Sequence, residues 1–316
     1  MVGKEVYIKV DGGIGRVICA TGAVSKFAKK NPDIKVSVCT SHKGLFYGVP
    51  GVSRVYQLDQ EYLYEDYVSK GELLEPEPYN DVLYYRDNKH ICNVFNKELN
   101  GVDEYVAPVV VLSDNELSDA KTFIEGVRNE HKKKVLLIQP FGSQGGVQQP
   151  DGNIKVDESY RSFGKGFLRK FIEYFEKDYT ILSVQSTAFS NNQQVPQAQM
   201  KGTIVVNNPD IKKIIALIPF VDGVVACDSF LHHASAALQS PTPTVVLWGA
   251  TNSANLSYSE HLNLLSHKKV EFEPNRFPHN HNYYVEANKN CNDFKEDLLP
   301  KIKEWVENGN SNKKVE

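Results

Sequence analysis

The chain has 316 residues, with 36 Lys and Arg against 39 Asp and Glu, so its formal net charge is -3. Hydrophobic residues make up 41% and charged residues 24%, which is typical of a globular protein and excludes disordered and collagen-like classes. A nearly balanced charge produces no overall positive field, so a nucleic-acid partner is possible but disfavoured. The length is sufficient for two ordinary domains, each with its own core.

The cysteines and the amino-terminal residues indicate a cytoplasmic protein. The five cysteines are an odd number without C-x-x-C spacing, which favours reduced thiols over a disulfide framework. The first twenty residues resemble a strand and a glycine turn more than a signal segment. No run reaches the roughly 18 apolar residues that a membrane span needs, so we expect no membrane span.

The first third of the chain predicts an α/β layer. Residues 5–10 alternate like a strand, glycines follow, and residues 16–30 have helical spacing with basic residues in the last turn. Residues 34–39 form the next strand. The further strand candidates are 52–58, 81–85 and 106–112. The alternation favours a mostly parallel sheet.

A helix with an acidic first turn is predicted from Ser113 to the basic residues at 131–134, and the strand-helix alternation then begins again. The predicted strands are 135–139, 180–184, 203–206, 223–227 and 244–248, and the predicted helices are 167–177, 210–218 and 231–238. We therefore expect two doubly wound Rossmann-like domains that face each other across a cleft. Their ranges are 1–130 and 131–292, and segment 293–316 is a helix that can pack back on the first domain, followed by a polar tail. Ligands of such folds bind at the carboxyl ends of the strands.

The first candidate loop follows the first strand and reads Asp11-Gly12-Gly13-Ile14-Gly15-Arg16. Glycines at a strand-to-helix turn, here Gly13 and Gly15, allow main-chain N–H groups to approach an anion or a sugar hydroxyl. A dinucleotide-binding fingerprint would need another small residue near Ile18 and an acid at the end of the second strand, where the chain has Thr40-Ser41-His42. A turn that serves only tight packing remains the alternative.

Two later loops offer groups for an anion. Gln139-Pro140-Phe141-Gly142 follows a buried strand and leads to Arg161, whose guanidinium can clamp a phosphate or can be merely exposed. The third loop is more specific, because an apolar strand delivers Asp228 and Ser229 to its carboxyl end and a helix of small residues starts at once. The start of that helix can bind a diphosphate, and Asp228 can accept hydrogen bonds from sugar hydroxyls. The adjacent His232 and His233 diverge by about 100° on a helix, so at most one faces the ligand.

The third loop, with its continuation Ala234 to Ala237 and Pro241 to Thr251, resembles the signature D-[ST]-G-x-x-H-x-A-A-A…P-[ST]-x-x-x-[FWY]-G-x-T of glycosyltransferase family 9, the ADP-heptose:lipopolysaccharide heptosyltransferases. Ile14-Gly15-Arg16 is similar to the family's Ile-Gly-Asp turn, and residues 49–55 to its P-G-V-D-x-V segment. The resemblance implies a GT-B fold and inverting transfer of a sugar from a nucleotide-activated donor. It also implies that Asp228, Ser229 and His233 bind the donor, with Arg161 at the position of a phosphate-binding Lys.

Two positions depart from the family pattern. Phe230 replaces the Gly that follows Asp-Ser, and Arg16 replaces the catalytic Asp. An arginine cannot act as a general base at neutral pH, so we expect the base to be Asp11 and Arg16 to stabilise the leaving diphosphate. The chain contains no Asp-x-Asp pair, so we expect no metal and no cofactor besides the nucleotide-sugar.

The acceptor stays open. Residues 56–85 contain seven tyrosines and are acidic, and tyrosine rings can stack on sugar faces, although a surface insertion with packed aromatics is the favoured interpretation. The two departures from the family pattern allow a non-catalytic relative that only binds a sugar nucleotide. A transferase that acts on hydroxylated bases in DNA is a further alternative.

Overall fold

The computed structural model describes residues 5–142, 161–185, 200–207, 210–266 and 294–309, together with the course of four two-residue strands between 147 and 194. Within these residues the chain forms two separate parallel sheets, each covered by helices. The predicted α/β class with two doubly wound layers is confirmed. Among the described residues, no helix combines the length and apolar character needed to cross a bilayer.

The first sheet has four parallel strands in the order β3-β2-β1-β4. Its strands are β1 (Glu5–Lys9), β2 (Lys35–Thr40), β3 (Val52–Gln57) and β4 (Glu72–Leu74). Its helices are α1 (Ile14–Lys30), α2 (Leu63–Asp66), α3 (Val82–Tyr85) and α4 (Ile91–Asn100). Helices α1 and α4 pack on one another and cover the face that carries Val6, Ile8 and Val10. The opposite face holds a smaller cluster around Tyr7 and Tyr56.

The second sheet has six parallel strands in the order β11-β8-β5-β12-β13-β14. Its strands are β5 (Lys134–Gln139), β8 (Tyr179–Val184), β11 (Thr203–Val206), β12 (Gly223–Cys227), β13 (Thr244–Trp248) and β14 (Leu262–Leu265). Its longer helices are α5 (Asp114–His131), α6 (Lys165–Phe175), α8 (Phe230–Leu238) and α9 (Leu298–Asn308), with the short α7 (Ile211–Ile215). The small two-stranded ladders are β6 (Val147–Gln148) with β7 (Ile154–Lys155), and β9 (Phe189–Ser190) with β10 (Gln193–Gln194). Strands β12 and β13 are buried along their whole length and β5 from its second residue onward, as expected between two helical layers.

Two of the predicted strands in the first domain are wrong. Residues 81–85 form helix α3, because the Asp81 side chain accepts a hydrogen bond from Leu83 N and caps a helical turn. Residues 106–112 are extended but join no ladder. Their main chain is held instead by α1, where Thr21 Oγ1 accepts a hydrogen bond from Val109 N at 2.8 Å.

The joint between the domains lies before residue 130. Helix α5 packs against β5, β8 and α7 of the second sheet. The Arg128 guanidinium donates to Phe220 O and pairs with Asp222 at 2.8 Å, and Lys212 pairs with Glu116 at 3.2 Å. These contacts assign the whole helix to the second domain, so the sequence boundary placed at residue 130 falls at the wrong end of α5.

The last helix also belongs to the second domain. Helix α9 packs on β12 and β13, with Val306 close to Gly223. Lys303 forms an ion pair with Asp178 at 2.5 Å. The expectation that residues 293–316 pack back on the first domain is therefore wrong for the described residues 294–309, because the apolar face of α9 completes the second domain's outer core.

The two domains meet through α1 and α8, whose side chains share one hydrophobic cluster. The glycine at position 15 makes this contact possible, because a Cβ there would lie 2.8 Å from His233 Cδ2. Asn255 of the second domain donates from Nδ2 to Tyr84 O at 2.6 Å and to Lys89 O at 2.9 Å. The carboxyl ends of β1 and β2 are thereby brought close to those of β5 and β12.

Candidate active site

A cavity of about 600 Å³ lies between the domains at the carboxyl ends of both sheets. The first domain contributes Gly12, Gly13, Ile14, Gly15, Arg16, Cys19, His42, Tyr79, Tyr84 and Ile91 to its wall. The second domain contributes Gln139, Phe141, Gly142, Arg161, Val184, Asp228, Ser229, Phe230, His233, Thr251 and Leu256. Seven of the eight residues predicted as catalytic or donor-binding therefore meet in one cavity, and Asp11 is the exception.

The glycines of the first wall have different tasks. Gly12 has φ +106°, a conformation that requires glycine at the end of the strand. Gly13 is the residue before the first turn of α1, and a Cβ there would meet nothing within 4 Å. Gly15 allows α1 to approach α8, as described above. Only Gly13 leaves an open main-chain surface toward the cavity, whereas Gly15 has the packing role that the sequence left open.

Arg16 lies in the first wall in a mostly buried setting. Its Nη2 forms an ion pair with Glu77 Oε2 at 3.0 Å, and its guanidinium carbon lies 5.1 Å from the centre of the Tyr79 ring. The Nε atom is buried and has no hydrogen-bond partner among the described residues. Glu77 therefore offsets part of the positive charge of Arg16.

Asp11 lies outside the cavity wall. Its exposed carboxylate accepts a hydrogen bond from Ser41 Oγ at 2.8 Å. Hydrogen bonds from the Gly12 main chain and from Ser41 lower the pKa of Asp11. The expectation that Asp11 is the general base loses its geometric support, because His42, after the end of β2, lines the cavity and Asp11 does not.

The second wall is built on the strand-to-helix junction that the sequence predicted. Strand β12 ends at Cys227, and Asp228 and Ser229 lead directly into α8. Burial acts to raise the pKa of Asp228, but hydrogen bonding to His232 and the positive charge of Arg161 outweigh it and lower the pKa to about 2. Asp228 is therefore ionised at neutral pH and can accept hydrogen bonds from hydroxyl groups.

The start of α8 and Arg161 form the part of this wall that can bind an anion. Gln139 Oε1 accepts a hydrogen bond from Leu231 N at 3.0 Å, so one of the first main-chain donors of α8 is already used. Phe230 lies in the wall and does not fill the cavity, which retains its 600 Å³. Arg161 lines the same cavity and influences the pKa of both Asp228 and Tyr79, which lie in opposite walls.

The two adjacent histidines take different positions. His233 lines the cavity, and its Nδ1 lies 2.9 Å from Tyr258 Oη and 3.3 Å from Cys19 Sγ. His232 is fully buried behind the wall, with Nε2 3.5 Å from Asp228 Oδ1, the long contact that helps to lower the pKa of that carboxyl group. Burial lowers the pKa of His232 to about 4, so it is neutral at pH 7. This division agrees with the expectation that one of the pair faces the ligand.

One group among the described residues could hold a metal ion. Potential ligand atoms of Asp228, His232 and His233 lie within 4.8 Å of one another. His233 Nδ1 is already bonded to Tyr258, which leaves Nε2 as its available nitrogen. Carboxylate and imidazole ligands suit Zn²⁺ or Fe²⁺, so the trio is chemically capable of coordination, although the same Asp228 is a predicted donor ligand.

Two other wall residues lie in segments that the sequence singled out, because Gln139 opens the second candidate loop and Tyr79 is one of the seven tyrosines of residues 56–85. Sequence reasoning missed Cys19 and His42 as parts of the wall. His42 could have been found, because it lies just after the carboxyl end of a predicted strand, whereas Cys19 is placed by helix packing. Apart from β6 and β7, residues 143–160 of the second loop lie outside the described residues. The same is true of His279-Asn280-His281, a His-x-His pair that the sequence offers for a metal without a third ligand at a recognisable spacing.

No family model and no curated protein matches this sequence. Solved structures do match. The glycosyl transferase family 9 protein from Veillonella parvula DSM 2008 has a TM-score of 0.68 at 13% identity, over 97% of this chain and 98% of that one. The iron-containing dodecameric glycosyltransferase TibC from enterotoxigenic E. coli H10407 has a TM-score of 0.66 at 11% identity, over 99% and 80%. The E. coli ADP-heptose LPS heptosyltransferase II has a TM-score of 0.54 at 11% identity, over 90% and 98%. The chain therefore shares the two-domain fold of these glycosyltransferases, as the motifs predicted.

Proposed function

We propose that this chain is a glycosyltransferase that moves a sugar from a nucleoside-diphosphate donor to an acceptor hydroxyl. The observation that carries the proposal is the single cavity in which Arg161, Asp228 and the start of α8 face the Gly12–Arg16 turn. A diphosphate needs cationic and main-chain donors, and a sugar needs carboxylate acceptors. Both kinds of group are present in one interdomain cleft, the place where this fold class binds ligands.

The donor occupies the second wall in this proposal. Arg161 and the free N–H groups of α8 hold the diphosphate, while Asp228, Ser229 and His233 face the ribose and the sugar. Structural relatives support the choice of donor class, because TibC was solved in complex with ADP-D-beta-D-heptose and matches this chain with a TM-score of 0.63. Gly13 offers its main chain to the donor from the opposite wall.

The departing nucleoside diphosphate carries the charge that must be stabilised. Arg161 supplies positive charge to it from the second wall, and Arg16, which pairs with Glu77, supplies positive charge from the first. We propose that these two arginines take the place of a metal ion, and that the transfer inverts the anomeric carbon by direct attack. The described cysteines are buried free thiols, which fits the reducing cytoplasm proposed as the location.

A screen of UDP-, GDP-, ADP- and CDP-sugars tests the proposal. We expect one nucleotide class to raise the melting temperature and to be released slowly as the diphosphate when water replaces the acceptor. Dialysis against EDTA is expected to leave this release unchanged. Loss of release after EDTA, followed by recovery with Zn²⁺ or Fe²⁺, would contradict the metal-independent mechanism and implicate the Asp228, His232 and His233 trio.

A non-catalytic sugar-nucleotide-binding protein is the second candidate. It is favoured by Arg16 at the position where the family resemblance expects a catalytic Asp, and by the exposed position of Asp11. Binding without release of nucleoside diphosphate from any donor would establish this alternative.

A further inference from the structure

We propose that His42 is the general base that takes the proton from the acceptor hydroxyl. The inference rests on the proposed function and supplies the group that Arg16 and Asp11 do not provide. His42 follows the carboxyl end of β2, which pairs directly with β1. It lines the cavity in the same wall as Gly12 and Gly13, opposite the wall assigned to the donor. We therefore place the acceptor hydroxyl on the His42 side of the cavity, with the donor held against Arg161 and the start of α8 across it.

The other ionisable side chains of the described wall are poorly suited to this task. Arg16 and Arg161 cannot accept a proton. Burial raises the pKa of Tyr79 above its usual value, so its phenolate is scarce. Asp228 belongs to the donor wall, and its pKa of about 2 makes it a weak base.

The remaining pair in the wall is already engaged. Cys19 Sγ lies 3.3 Å from His233 Nδ1, and the same nitrogen lies 2.9 Å from Tyr258 Oη. A proton taken by either partner would disturb this buried network. His42 lines the same cavity, and its imidazole can take up a proton near neutral pH. It is not part of the network formed by Cys19, His233 and Tyr258.

The surroundings of His42 match a base that charges only during the reaction. Burial lowers its pKa below the ordinary value of 6.5, while hydrogen bonding with the Gly12 main chain and the charge of Asp11 act in the opposite direction. The imidazole is therefore neutral at pH 7. Once it holds a proton, the nearby Asp11 carboxylate, fixed by Ser41, stabilises the positive charge.

The other charges around His42 are accounted for. Arg16 shares the cavity wall and is paired with Glu77. Helix α7 packs against the 3-10 turn Lys43–Phe46 that follows His42, and its Lys212 is paired with Glu116 of α5 at 3.2 Å. Asp11 is therefore the nearby charged group that can stabilise the His42 imidazole when it becomes protonated.

The step balances without an added reagent. The imidazole removes the hydroxyl proton as the acceptor oxygen forms a bond to the anomeric carbon of the donor. The bond from that carbon to the diphosphate oxygen breaks, and its electron pair leaves with the nucleoside diphosphate, held by Arg161. The imidazolium then releases its proton to solvent. The net products are the glycosylated acceptor, the nucleoside diphosphate and one proton.

The test compares His42→Gln with His131→Gln, a control at an exposed histidine on α5. Nucleoside diphosphate release is measured with the best donor of the UDP-, GDP-, ADP- and CDP-sugar panel and with water as acceptor. We expect His42→Gln to reduce kcat by about 100-fold or more, to leave the Kd for the nucleoside diphosphate within about twofold, and to abolish the acidic limb of the pH profile. His131→Gln should resemble the wild type.

Chemical rescue separates a base from a merely structural residue. Imidazole added to His42→Gly should restore release in proportion to the concentration of its neutral form. A His42→Gln variant with more than a third of wild-type kcat, or an unchanged acidic limb, would overturn the assignment. Asp11→Asn is expected to reduce kcat only several-fold, and a loss equal to that of His42→Gln without imidazole rescue would return the role to Asp11.

Failure of the proposed glycosyltransferase function and failure of the His42 assignment would give different experimental results. Wild-type protein that binds nucleotide but releases none from any donor would refute the glycosyltransferase function, and the role of His42 with it. Wild-type release that persists in His42→Gln would refute only the assignment of the base.

Discussion

The two walls of the cavity are constructed in different ways. The second wall comes from a continuous strand-to-helix junction in the centre of a six-stranded sheet, where Asp228 is only 3% exposed. The first wall belongs to a four-stranded sheet and is assembled from separate segments, with Arg16 held by Glu77 and Tyr79. A local motif can specify the junction that forms the second wall. The first wall is specified only by the tertiary structure. Each wall holds one departure from the family pattern, Phe230 in the second and Arg16 in the first.

The largest expected effect on nucleotide binding comes from a substitution in the second wall. Arg161→Ala should weaken the binding of the nucleoside diphosphate by about 100-fold, because a sheltered guanidinium supplies charge-assisted hydrogen bonds to it. Isothermal titration with the nucleotide identified in the screen measures this. Arg169→Ala on α6 is the matched control, since that side chain is exposed and contacts only Glu173 at 3.9 Å in an ion pair. Equal affinity of Arg161→Ala and wild type would mean that this wall does not bind the diphosphate.

The second wall should also be sensitive to acid. The pKa of His232 is lowered to about 4 in the folded state, so its contribution to stability is complete above the unfolded value of about 6.5 and is lost as the pH falls toward 4. We expect the free energy of unfolding to fall by about 2 kcal/mol between about pH 7 and pH 5 from this group.

Urea unfolding at several pH values measures this loss. His232→Gln should flatten the pH dependence, whereas His131→Gln should not. An unchanged slope in His232→Gln would show that His232 is not the group that titrates.

Two glycines of the first wall separate packing from binding. In Gly15→Ala the new Cβ would lie 2.8 Å from His233 Cδ2, so we expect a loss of about 1 to 3 kcal/mol in stability. Gly13→Ala meets no protein atom and should leave the melting temperature nearly unchanged while weakening donor binding. Thermal unfolding and nucleotide titration of both variants test this. Unchanged affinity in Gly13→Ala would exclude a close approach of the donor to the main chain of this turn.

The smallest expected effect is that of Arg16. Because Glu77 offsets its charge, Arg16→Gln should weaken nucleoside diphosphate binding by only about tenfold or less. Isothermal titration with the nucleoside diphosphate compares the affinity of Arg16→Gln with that of Arg161→Ala. Arg54→Ala serves as a control on the exposed face of β3. A larger effect for Arg16 than for Arg161 would reverse the roles of the two walls.

Sequence reasoning predicted what is local in this molecule. The β1-turn-α1 unit and the junction at Asp228 were recognisable, because strand periodicity, glycine turns and helix starts are encoded in neighbouring residues. The placement of α5 and α9 was not, because either sheet could receive an amphipathic helix. Residues 81–85 were mistaken for a strand because a short apolar run is ambiguous and the capping by Asp81 decided it.

Sequence reasoning about the site was also restricted to features encoded in neighbouring residues. Asp228, Ser229 and Arg161 were found because each follows or precedes a predicted element. Which of Asp11 and His42 lines the cavity depends on how the two loops meet in three dimensions, which no periodicity reveals.

The most direct test of the central claim is a crystal structure of the protein with the nucleoside diphosphate chosen by the donor screen. The account predicts that the diphosphate lies in the interdomain cavity, within hydrogen-bond distance of the Arg161 guanidinium and of main-chain N–H groups at the start of α8. A diphosphate bound outside this cavity, or inside it without contact to Arg161, would contradict the account.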